Sequence, residues 1–369
     1  MDDSEIDFAE PAPGDAKNAL TPEFYAEWKS DRDLGVSMLD GYRPQLLQDL
    51  ARFEVLGTEI PFIVPANAET DRAGVIDLPL RDRSTGDIWI MDHKTFTPES
   101  WAAYQKISTL DEQSTGYLSA WERLHGERPV GFIVNVLVKR AAHPPKRLKN
   151  GSLSKSADQN TTPELYRAAI LEHKINVADY AEFLAYLEAN RKTFYARIAV
   201  TRTPEHLARF DADFASTCAE KARGVVYRNV SPRTCGTCAY RFLCEANVRA
   251  IELSEAEVAS LYDQRDASVP TELADKLKSR GKPVESYSSL GDWKNCRQAA
   301  AYRESGLAPK TTAKYFRFGT GIHAALAVGY TGGDMTRTWD EFCAREFVEA
   351  FGMTTFEAEV RLGMSGEKE

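Results

Sequence analysis

Four runs rich in β-branched residues constrain the fold of this chain most strongly. In chain order they read EVLGTEIPFIV, AGVIDLPLRDR, GDIWIMDHKT and VGFIVNVLVK. The turn-forming stretch DRSTGD joins the middle two runs and predicts a hairpin. A helical stretch, SWAAYQKISTLDEQSTGYLSAWERLHG, separates the third run from the fourth, and such a crossover can set its flanking strands parallel. The sequence therefore predicts an α/β core.

Amphipathic helices are predicted before and after these strands. A lead-in helix follows Thr21, and Pro22 suits its first turn. Three more helices are predicted from TPELYRAAILEHKI, VADYAEFLAYLEANRKTFYARI and TPEHLARFDADFASTCAEKARG. The predicted domain plan is a disordered arm over residues 1–20, a main domain over 21–253, a linker over 254–285 and a helical module over 286–369.

The composition is that of an ordinary soluble protein. Of 369 residues, 43% are hydrophobic and 27% are charged, which suits one large domain or two modest ones. No stretch approaches the ~18 consecutive apolar residues of a transmembrane helix. The acidic N-terminus also lacks the pattern of a signal peptide. We therefore expect a cytoplasmic protein that does not engage a membrane.

Three cysteines in CGTCAYRFLC have the spacing of a metal centre. Cys235, Cys238 and Cys244 follow the pattern C-x2-C-x5-C, which leaves one coordination position for a distant ligand. Cys296, in LGDWKNCRQAAAYR, is the candidate for that position. Six cysteines are too few for a disulfide scaffold in a chain of this length, so an iron–sulfur cluster or a zinc ion is expected. Two cysteines remain as predicted buried thiols, Cys218 and Cys343.

Two aspartates and a lysine lie on the predicted hairpin. Asp77 ends the run GVID, and Asp92 and Lys94 follow on the next strand as D-x-K. A hairpin can bring both carboxylates to one edge, while strand alternation points Asp92 and Lys94 to the same face. Two carboxylates can bind Mg²⁺ against a phosphodiester, and the lysine can offset charge. A hairpin with solvated polar residues is the alternative interpretation.

Four further side chains are candidates for the same site. Glu59, in VLGTEIPF, can add a carboxylate, and Gln113 and Tyr117 lie one helical turn apart, where they can hydrogen-bond near the scissile phosphate. His323, in FGTGIHAAL, is predicted on a helix after a glycine-flanked turn, where it can offer a neutral imidazole to a metal. The respective alternatives are a surface glutamate, ordinary helix packing and a half-buried structural histidine.

One segment is strongly basic, although the net charge of the chain is −9. This segment has no acidic residue, and its cations are Lys139, Arg140, Lys146, Arg147, Lys149 and Lys155. The negative net charge argues against indiscriminate coating of nucleic acid, so any DNA contact must be local. Beside a site that acts on phosphodiesters we expect this segment to bind the DNA backbone. In isolation, a solvated loop is the ordinary interpretation.

Together, GVID with DHK, QSTGY and CGTCAYRFLC resemble the PD-(D/E)XK nuclease superfamily. Within it, the chain is most similar to the iron–sulfur branch of RecB-like phage exonucleases and the CRISPR-associated exonuclease. The resemblance implies a restriction-endonuclease-like α/β core with a mixed central sheet flanked by helices, and a helical iron–sulfur module. The implied site residues are the metal ligands Asp77 and Asp92, the catalytic Lys94, the supporting Glu59, Gln113 and Tyr117, and the [4Fe-4S] ligands Cys235, Cys238 and Cys244.

The order of the motifs departs from that branch. There, the first cluster cysteine and the metal-binding histidine precede the acidic motifs, whereas here Cys296 and His323 follow the three-cysteine loop. A circular permutation, bridged by residues 254–285, would let residues 286–369 complete the cluster and the active site of the same chain. Completion of another protomer's site is the alternative, and the oligomeric state stays open.

The resulting functional prediction is a DNA exonuclease or flap-trimming nuclease of phage or mobile-element origin. Mg²⁺ or Mn²⁺ would be bound by Asp77, Asp92 and His323, and the expected partner is single-stranded or end-containing DNA in recombination or DNA-end processing. An accessory factor that binds DNA alongside recombination or CRISPR-adaptation proteins is the alternative, against which the intact Asp77, Asp92 and Lys94 argue. A third possibility is a protein stabilised by zinc, without an iron–sulfur cluster.

Overall fold

The chain enters its sheet from a long helix. The computed structural model describes residues 22–264, 281–310 and 314–351. Helix α1 spans Pro22–Arg52, as predicted. Its predicted cap Thr21 and the predicted arm over residues 1–20 lie outside the described residues.

Seven strands follow α1 and form most of two sheets. In chain order they are β1 (Phe53–Val55), β2 (Ile60–Pro65), β3 (Asp71–Ile76), β4 (Leu78–Asp82), β5 (Ile88–Phe96), β6 (Gly131–Val138) and β7 (Tyr195–Val200). The central sheet has the order β1-β4-β5-β6-β7, in which β5 and β6 are parallel and the other neighbours antiparallel. The predicted hairpin between β4 and β5 and the parallel pair across the crossover are therefore confirmed.

The first two predicted strand runs are each divided between two sheets. One run gives β1 and β2, and the other gives β3 and β4, with β2 and β3 paired antiparallel outside the central sheet. The two breaks lie next to each other, because the Glu59 amide donates a hydrogen bond to the Asp77 carbonyl at 2.8 Å. Glu59 has a left-handed φ of 50°, which ends regular strand geometry there. Each run was predicted as one strand because strand-forming residues lie on both sides of its break, and that composition does not distinguish one strand from two.

The predicted crossover helix consists of two helices, α2 (Pro98–Tyr104) and α3 (Glu112–His125), with a 3₁₀ turn over Ser108–Leu110 between them. Asp111 interrupts the predicted single helix because it is the N-cap of α3, where its side chain accepts a hydrogen bond from the Gln113 amide at 3.0 Å. The capped start fixes Gln113 in the first turn of α3, next to the end of β5.

Three helices follow the parallel strand pair: α4 (Pro163–Glu172), α5 (Ala181–Ala189) and α6 (Pro204–Ala222). Their existence was predicted, but the predicted second helix is wrong at its C-terminal end, where Tyr195–Val200 forms β7. There Tyr195 pairs with Leu137 and Val200 with Phe132, so the segment completes the edge of the central sheet. Pairing with β6 outweighs the local helical pattern.

The remainder of the chain is mainly helical. In chain order it contains α7 (Pro232–Gly236), α8 (Arg241–Val248), α9 (Glu255–Leu261), β8 (Tyr262–Gln264), β9 (Val284–Glu285), α10 (Tyr287–Asn295), α11 (Arg297–Glu304), β10 (Leu307–Pro309), α12 (Lys314–Tyr330) and α13 (Met335–Phe351). The predicted linker includes α9, β8 and β9, and its residues 265–280 lie outside the described part of the chain. Strand β9 pairs in parallel with β3, and β8 pairs with β10.

Two apolar layers cover the central sheet. On one face α1, α12 and α13 pack around Met38, Ile322 and Trp339. On the other face α3 contributes Leu118 and Trp121 to a core with alternate residues of β5 and β6. None of the helices within the described residues has the length and hydropathy needed to cross a bilayer.

Candidate active site and metal centres

Asp77 lies at the junction of the two sheets, between β3 and β4. Its carboxylate is nearly buried, and Oδ2 accepts a hydrogen bond from the His93 backbone amide at 3.0 Å. His323 Nδ1, from α12, lies 3.5 Å from the same oxygen. The C-terminal module therefore reaches the strand junction of its own chain, although His323 is far from Asp77 in sequence.

Glu59 completes a compact group of ligand atoms with Asp77 and His323. One ligand atom of each lies within 4.8 Å of the other two. The left-handed backbone of Glu59 costs about 1–3 kcal/mol for a residue other than glycine, and such strain concentrates at functional sites. Partial desolvation raises the pKa of Glu59, and the Asp92 charge raises it further.

The glycines before His323 have a different role from the predicted one. Gly319 and Gly321 lie inside α12 rather than in a turn. A Cβ on Gly321 would lie 2.5 Å from a ring carbon of Phe342, and one on Gly319 would lie 3.1 Å from Thr95 Oγ1. Glycine is therefore required because α12 packs closely against α13 and β5, and this close approach brings His323 to Asp77.

Asp92 and Lys94 point from β5 toward α3. Lys94 Nζ lies 2.8 Å from Asp92 Oδ2 and donates to Gln113 Oε1 at 2.7 Å. Gln113 Nε2 in turn donates to the Tyr117 hydroxyl at 3.1 Å. The structure thus brings all seven residues predicted for this site together, and their roles stay predictions. Asp92 belongs to the ion pair with Lys94 rather than to the compact ligand group.

The electrostatics of the site suit a bound cation. Burial raises the pKa of Asp77 to about 8, and the Asp92 carboxylate contributes to that rise. Burial lowers the pKa of His323, so its imidazole is neutral at neutral pH. Burial opposes the charge of Lys94, but Asp92 outweighs it, and the pKa of Lys94 is raised. Lys94 is therefore a permanent cation here rather than a general base.

A cleft leads into this site. A cavity of about 250 Å³ is lined by Asp77, Gln113 and Tyr117. It shares Phe210 and Tyr287 with a neighbouring cavity of about 640 Å³ between α3, α6 and α10. The Asp77 carboxylate therefore faces a cleft with a partly aromatic lining.

A model of the PD-(D/E)XK nuclease superfamily matches residues 8–245, well over half of the chain. The chain belongs to this superfamily. The five-stranded mixed sheet flanked by helices confirms the predicted PD-(D/E)XK core. Comparisons with curated proteins and with solved structures give no match. Members of the PD-(D/E)XK superfamily are typically nucleases. The match ends at residue 245, so it does not include Cys296 or His323.

In this PD-(D/E)XK protein, three of the predicted cluster cysteines influence the thiol of the fourth, Cys244. Burial raises the pKa of the Cys244 thiol, and the thiols of Cys238, Cys296 and Cys235 raise it further against the opposing charge of Arg228. Among the described residues their sulfur atoms do not form a group within 4.8 Å. Sulfurs about 2.3 Å from one zinc ion would be that close, so no tetrahedral zinc site is preformed.

Contacts around the cysteines join the helical module to the three-cysteine loop. Tyr240, which lies within that loop between Cys238 and Cys244, donates its hydroxyl hydrogen to the Leu307 carbonyl at 2.8 Å. Arg297 lies over the rings of Tyr227 and Trp293, 4.4 and 3.9 Å from their centroids. The two leftover cysteines are buried, as predicted: Cys218 and Cys343.

The basic segment leaves the central sheet beside the site. The Lys139 amide donates to the Phe96 carbonyl at 2.7 Å, which places the start of the segment at the end of β5. Lys139 and Arg140 lie over the rings of Phe318 and Phe194, and Lys155 donates to the Asp179 carbonyl at 2.8 Å. The cations exposed in the turn between them are Lys146, Arg147 and Lys149.

Sequence reasoning did not identify the polar residues behind the site. His93, Asn135 and Arg197 lie on neighbouring strands and are hydrogen-bonded to one another. One signal was present: Asn135 interrupts the otherwise apolar run VGFIVNVLV in a strand that is buried throughout. A single polar residue in such a strand needs a partner.

Proposed function

We propose that the protein is a metal-dependent deoxyribonuclease that acts as an exonuclease or flap-trimming nuclease in recombination or DNA-end processing. The observation that carries the proposal is the approach of His323 to the Asp77 carboxylate, next to Asp92 and Lys94, in a PD-(D/E)XK chain. The basic segment at the end of β5 supports DNA as the substrate.

The donor set fits a divalent cation. Glu59, Asp77 and His323 offer two carboxylates and a neutral imidazole within 4.8 Å of one another, and burial, with a further contribution from the Asp92 carboxylate, raises the pKa of Asp77. Oxygen donors with one imidazole suit Mg²⁺ or Mn²⁺. Asp92, as predicted from sequence, is a further ligand on this proposal. A bound ion would supply a Lewis acid and a water molecule of lowered pKa.

The protein's own groups orient and stabilise the reacting phosphate. Lys94 keeps its positive charge, and two acceptors, Asp92 and Gln113, fix the direction of its ammonium group. A cation fixed in this way stabilises negative charge that develops at the phosphate. Tyr117 restrains Gln113, because its hydroxyl accepts a hydrogen bond from the side-chain amide of Gln113.

The proposal is tested with end-labelled single-stranded and double-stranded DNA, with and without Mg²⁺ or Mn²⁺. Shortening of either substrate only in the presence of metal supports it. DNA binding without cleavage under all conditions would favour the accessory-factor alternative.

Metal affinity is expected to rise with pH. The pKa of Asp77 is about 8 in the folded protein, far above the ~3.9 of an unfolded aspartate, so the folded carboxyl is protonated at neutral pH. Metal binding must displace that proton, so the Mn²⁺ dissociation constant should fall up to about tenfold per pH unit until pH 8 and then level off. Electron paramagnetic resonance of free Mn²⁺ from pH 6 to 9 measures it.

The raised pKa of Asp77 also makes the metal-free protein less stable as pH rises. Between the unfolded and folded pKa values the folded state binds the extra proton, so the free energy of unfolding should fall as pH rises from about 4 to 8. A Mn²⁺ affinity that is constant from pH 6 to 9 would contradict the protonation of Asp77.

Removing the exposed cations of the basic segment is expected to weaken DNA binding without changing sequence preference. In a variant with Lys146, Arg147 and Lys149 replaced by Ala, the slope of log affinity against log salt should flatten by about 0.7–0.9 per lost phosphate contact. Fluorescence anisotropy at several salt concentrations measures this slope.

A matched control removes three exposed arginines elsewhere: Arg43, Arg83 and Arg337. It changes the net charge equally, so it separates a local contact from a general charge effect. Equal salt slopes for the two triple variants would contradict a DNA-binding role of the segment.

We also propose a [4Fe-4S] cluster on Cys235, Cys238, Cys244 and Cys296. The effect of the Cys238, Cys296 and Cys235 thiols on the pKa of Cys244 supports their convergence, and the C-x2-C-x5-C spacing with one distant cysteine suits such a cluster.

A further inference from the structure

A row of polar side chains crosses the central sheet behind the carboxylate site. His93, Asn135 and Arg197 are paired in register on β5, β6 and β7. His93 and Asn135 are only 2% and 1% exposed, within strands that are otherwise largely apolar. Polar groups at this depth are unfavourable unless each has a partner.

Hydrogen bonds fix the direction of each group in the row. Arg197 Nε donates to Asn135 Oδ1 at 3.0 Å, and a guanidinium group can only donate. The amide nitrogen of Asn135 therefore faces His93 Nδ1, 2.9 Å away, and donates to it. Because Nδ1 accepts, the proton of neutral His93 lies on Nε2.

The row continues into two helices and returns to His93. The Arg197 guanidinium donates to both carboxylate oxygens of Asp49 on α1, with Nη1 at 2.7 Å from Oδ1. Tyr330 of α12 donates to Asp49 at 2.6 Å, and its ring stacks on His93 with centroids 5.6 Å apart. The five residues therefore form a closed ring that joins α1, the sheet and α12.

His93 also contacts both sides of the metal site. Its backbone amide binds Asp77 at 3.0 Å. Its imidazole packs against the edge of the His323 ring, with centroids 6.0 Å apart. His323 lies two helical turns before Tyr330 on α12, so the Tyr330–Asp49 hydrogen bond restrains the helix that carries His323.

We propose that Asp49, Arg197, Asn135, His93 and Tyr330 position His323 against Asp77, a role that rests on the proposed function. They are positioning residues, because each acts through His93 or α12. A buried ion pair contributes little net stability compared with apolar packing, whereas it can fix one arrangement. Outer hydrogen bonds of this kind typically change metal affinity 10–100-fold.

The test uses Mn²⁺ alone as the probe, bound to the full chain and measured by electron paramagnetic resonance. Tyr330→Phe removes one hydroxyl and keeps the ring on His93, and it should weaken Mn²⁺ binding about tenfold. Tyr166→Phe is the matched control, since Tyr166 is also fully buried and donates one hydrogen bond, to the Ser154 carbonyl, within the α4–α5 core. It should lower the melting temperature similarly and leave Mn²⁺ affinity unchanged.

A double-mutant comparison tests whether Tyr330 affects Mn²⁺ binding through His323. In a His323→Ala background, Tyr330→Phe should have no further effect on Mn²⁺ affinity, because the residue being positioned is gone. Equal affinity of Tyr330→Phe and the wild type, or an undiminished effect in the His323→Ala background, would overturn the proposal. If Tyr330→Phe does not fold, Arg197→Lys is used in its place. This variant keeps the positive charge but cannot donate to both Asp49 oxygens and to Asn135 at once.

Failure of the underlying function is distinguishable from these results. A wild-type protein that neither binds Mn²⁺ nor cleaves DNA would overturn the proposed function, and the positioning role with it. A wild type that does both, with variants indistinguishable from it, overturns the positioning role alone.

Discussion

Replacing Asp92 with asparagine is expected to abolish DNA cleavage, by at least about 10³-fold in rate. The substitution keeps the shape of a nearly fully buried side chain but removes the charge paired with Lys94 at 2.8 Å. It also removes a proposed metal ligand. Cleavage of end-labelled DNA with Mn²⁺, together with circular dichroism and the melting temperature of the variant, measures the effect.

Asp82 offers a matched control for this experiment. It is buried on the neighbouring strand β4 and paired with Arg52 at 2.8 Å, away from the site. Asp82→Asn should lose stability but retain cleavage. A folded Asp92→Asn protein that cleaves at the wild-type rate would reject the site, whereas equal inactivity of the two variants would indicate a structural effect.

Replacing Cys296 with serine is expected to remove iron and the visible absorption band of the purified protein. Cys296 is the N-cap residue of α11, and it lies near the three-cysteine loop. Three thiolates leave a [4Fe-4S] cluster without one ligand. Iron analysis and the absorption spectrum after anaerobic purification measure the loss.

The two remaining cysteines are the controls for this prediction. Burial raises the pKa of Cys218 to about 11 and that of Cys343 to about 12, so both stay protonated and are poor metal ligands. Serine variants of these two should retain the band. Loss of the band in Cys218→Ser but not in Cys296→Ser would overturn the assignment, and bound zinc without iron would favour the zinc alternative.

Much of the core could be predicted because its signals are local. Runs rich in β-branched residues identified β5 and β6, and the helical stretch between them predicted their parallel pairing. The division of β3 from β4 at Asp77 could not be predicted in the same way, since strand-forming residues lie on both sides of it. The strand β7 was missed because its conformation depends on pairing with β6, a contact between distant segments.

The candidate site also contains residues with a local sequence signal and residues whose placement depends on contacts between distant segments. Asp92, Lys94, Gln113 and Tyr117 stand out because strand and helix periodicity places each pair on one face. The ring through Asn135 and Arg197 depends on cross-strand register, which no short stretch of sequence records. The glycines before His323 were interpreted as a turn because a close helix contact has the same local sequence requirement.

The order in which the chain is synthesised determines when the proposed metal site becomes complete. α1 is made well before its partners α12 and α13: Trp339 Nε1 donates to the Arg32 carbonyl at 2.9 Å, across 307 residues. At the usual 5 to 20 residues per second, about 15 to 55 seconds separate the end of α1 from His323 on the ribosome. Throughout that interval the nascent chain carries its carboxylates without its histidine. On the proposed function, every unfinished chain would therefore lack a metal ligand, and nuclease activity with it.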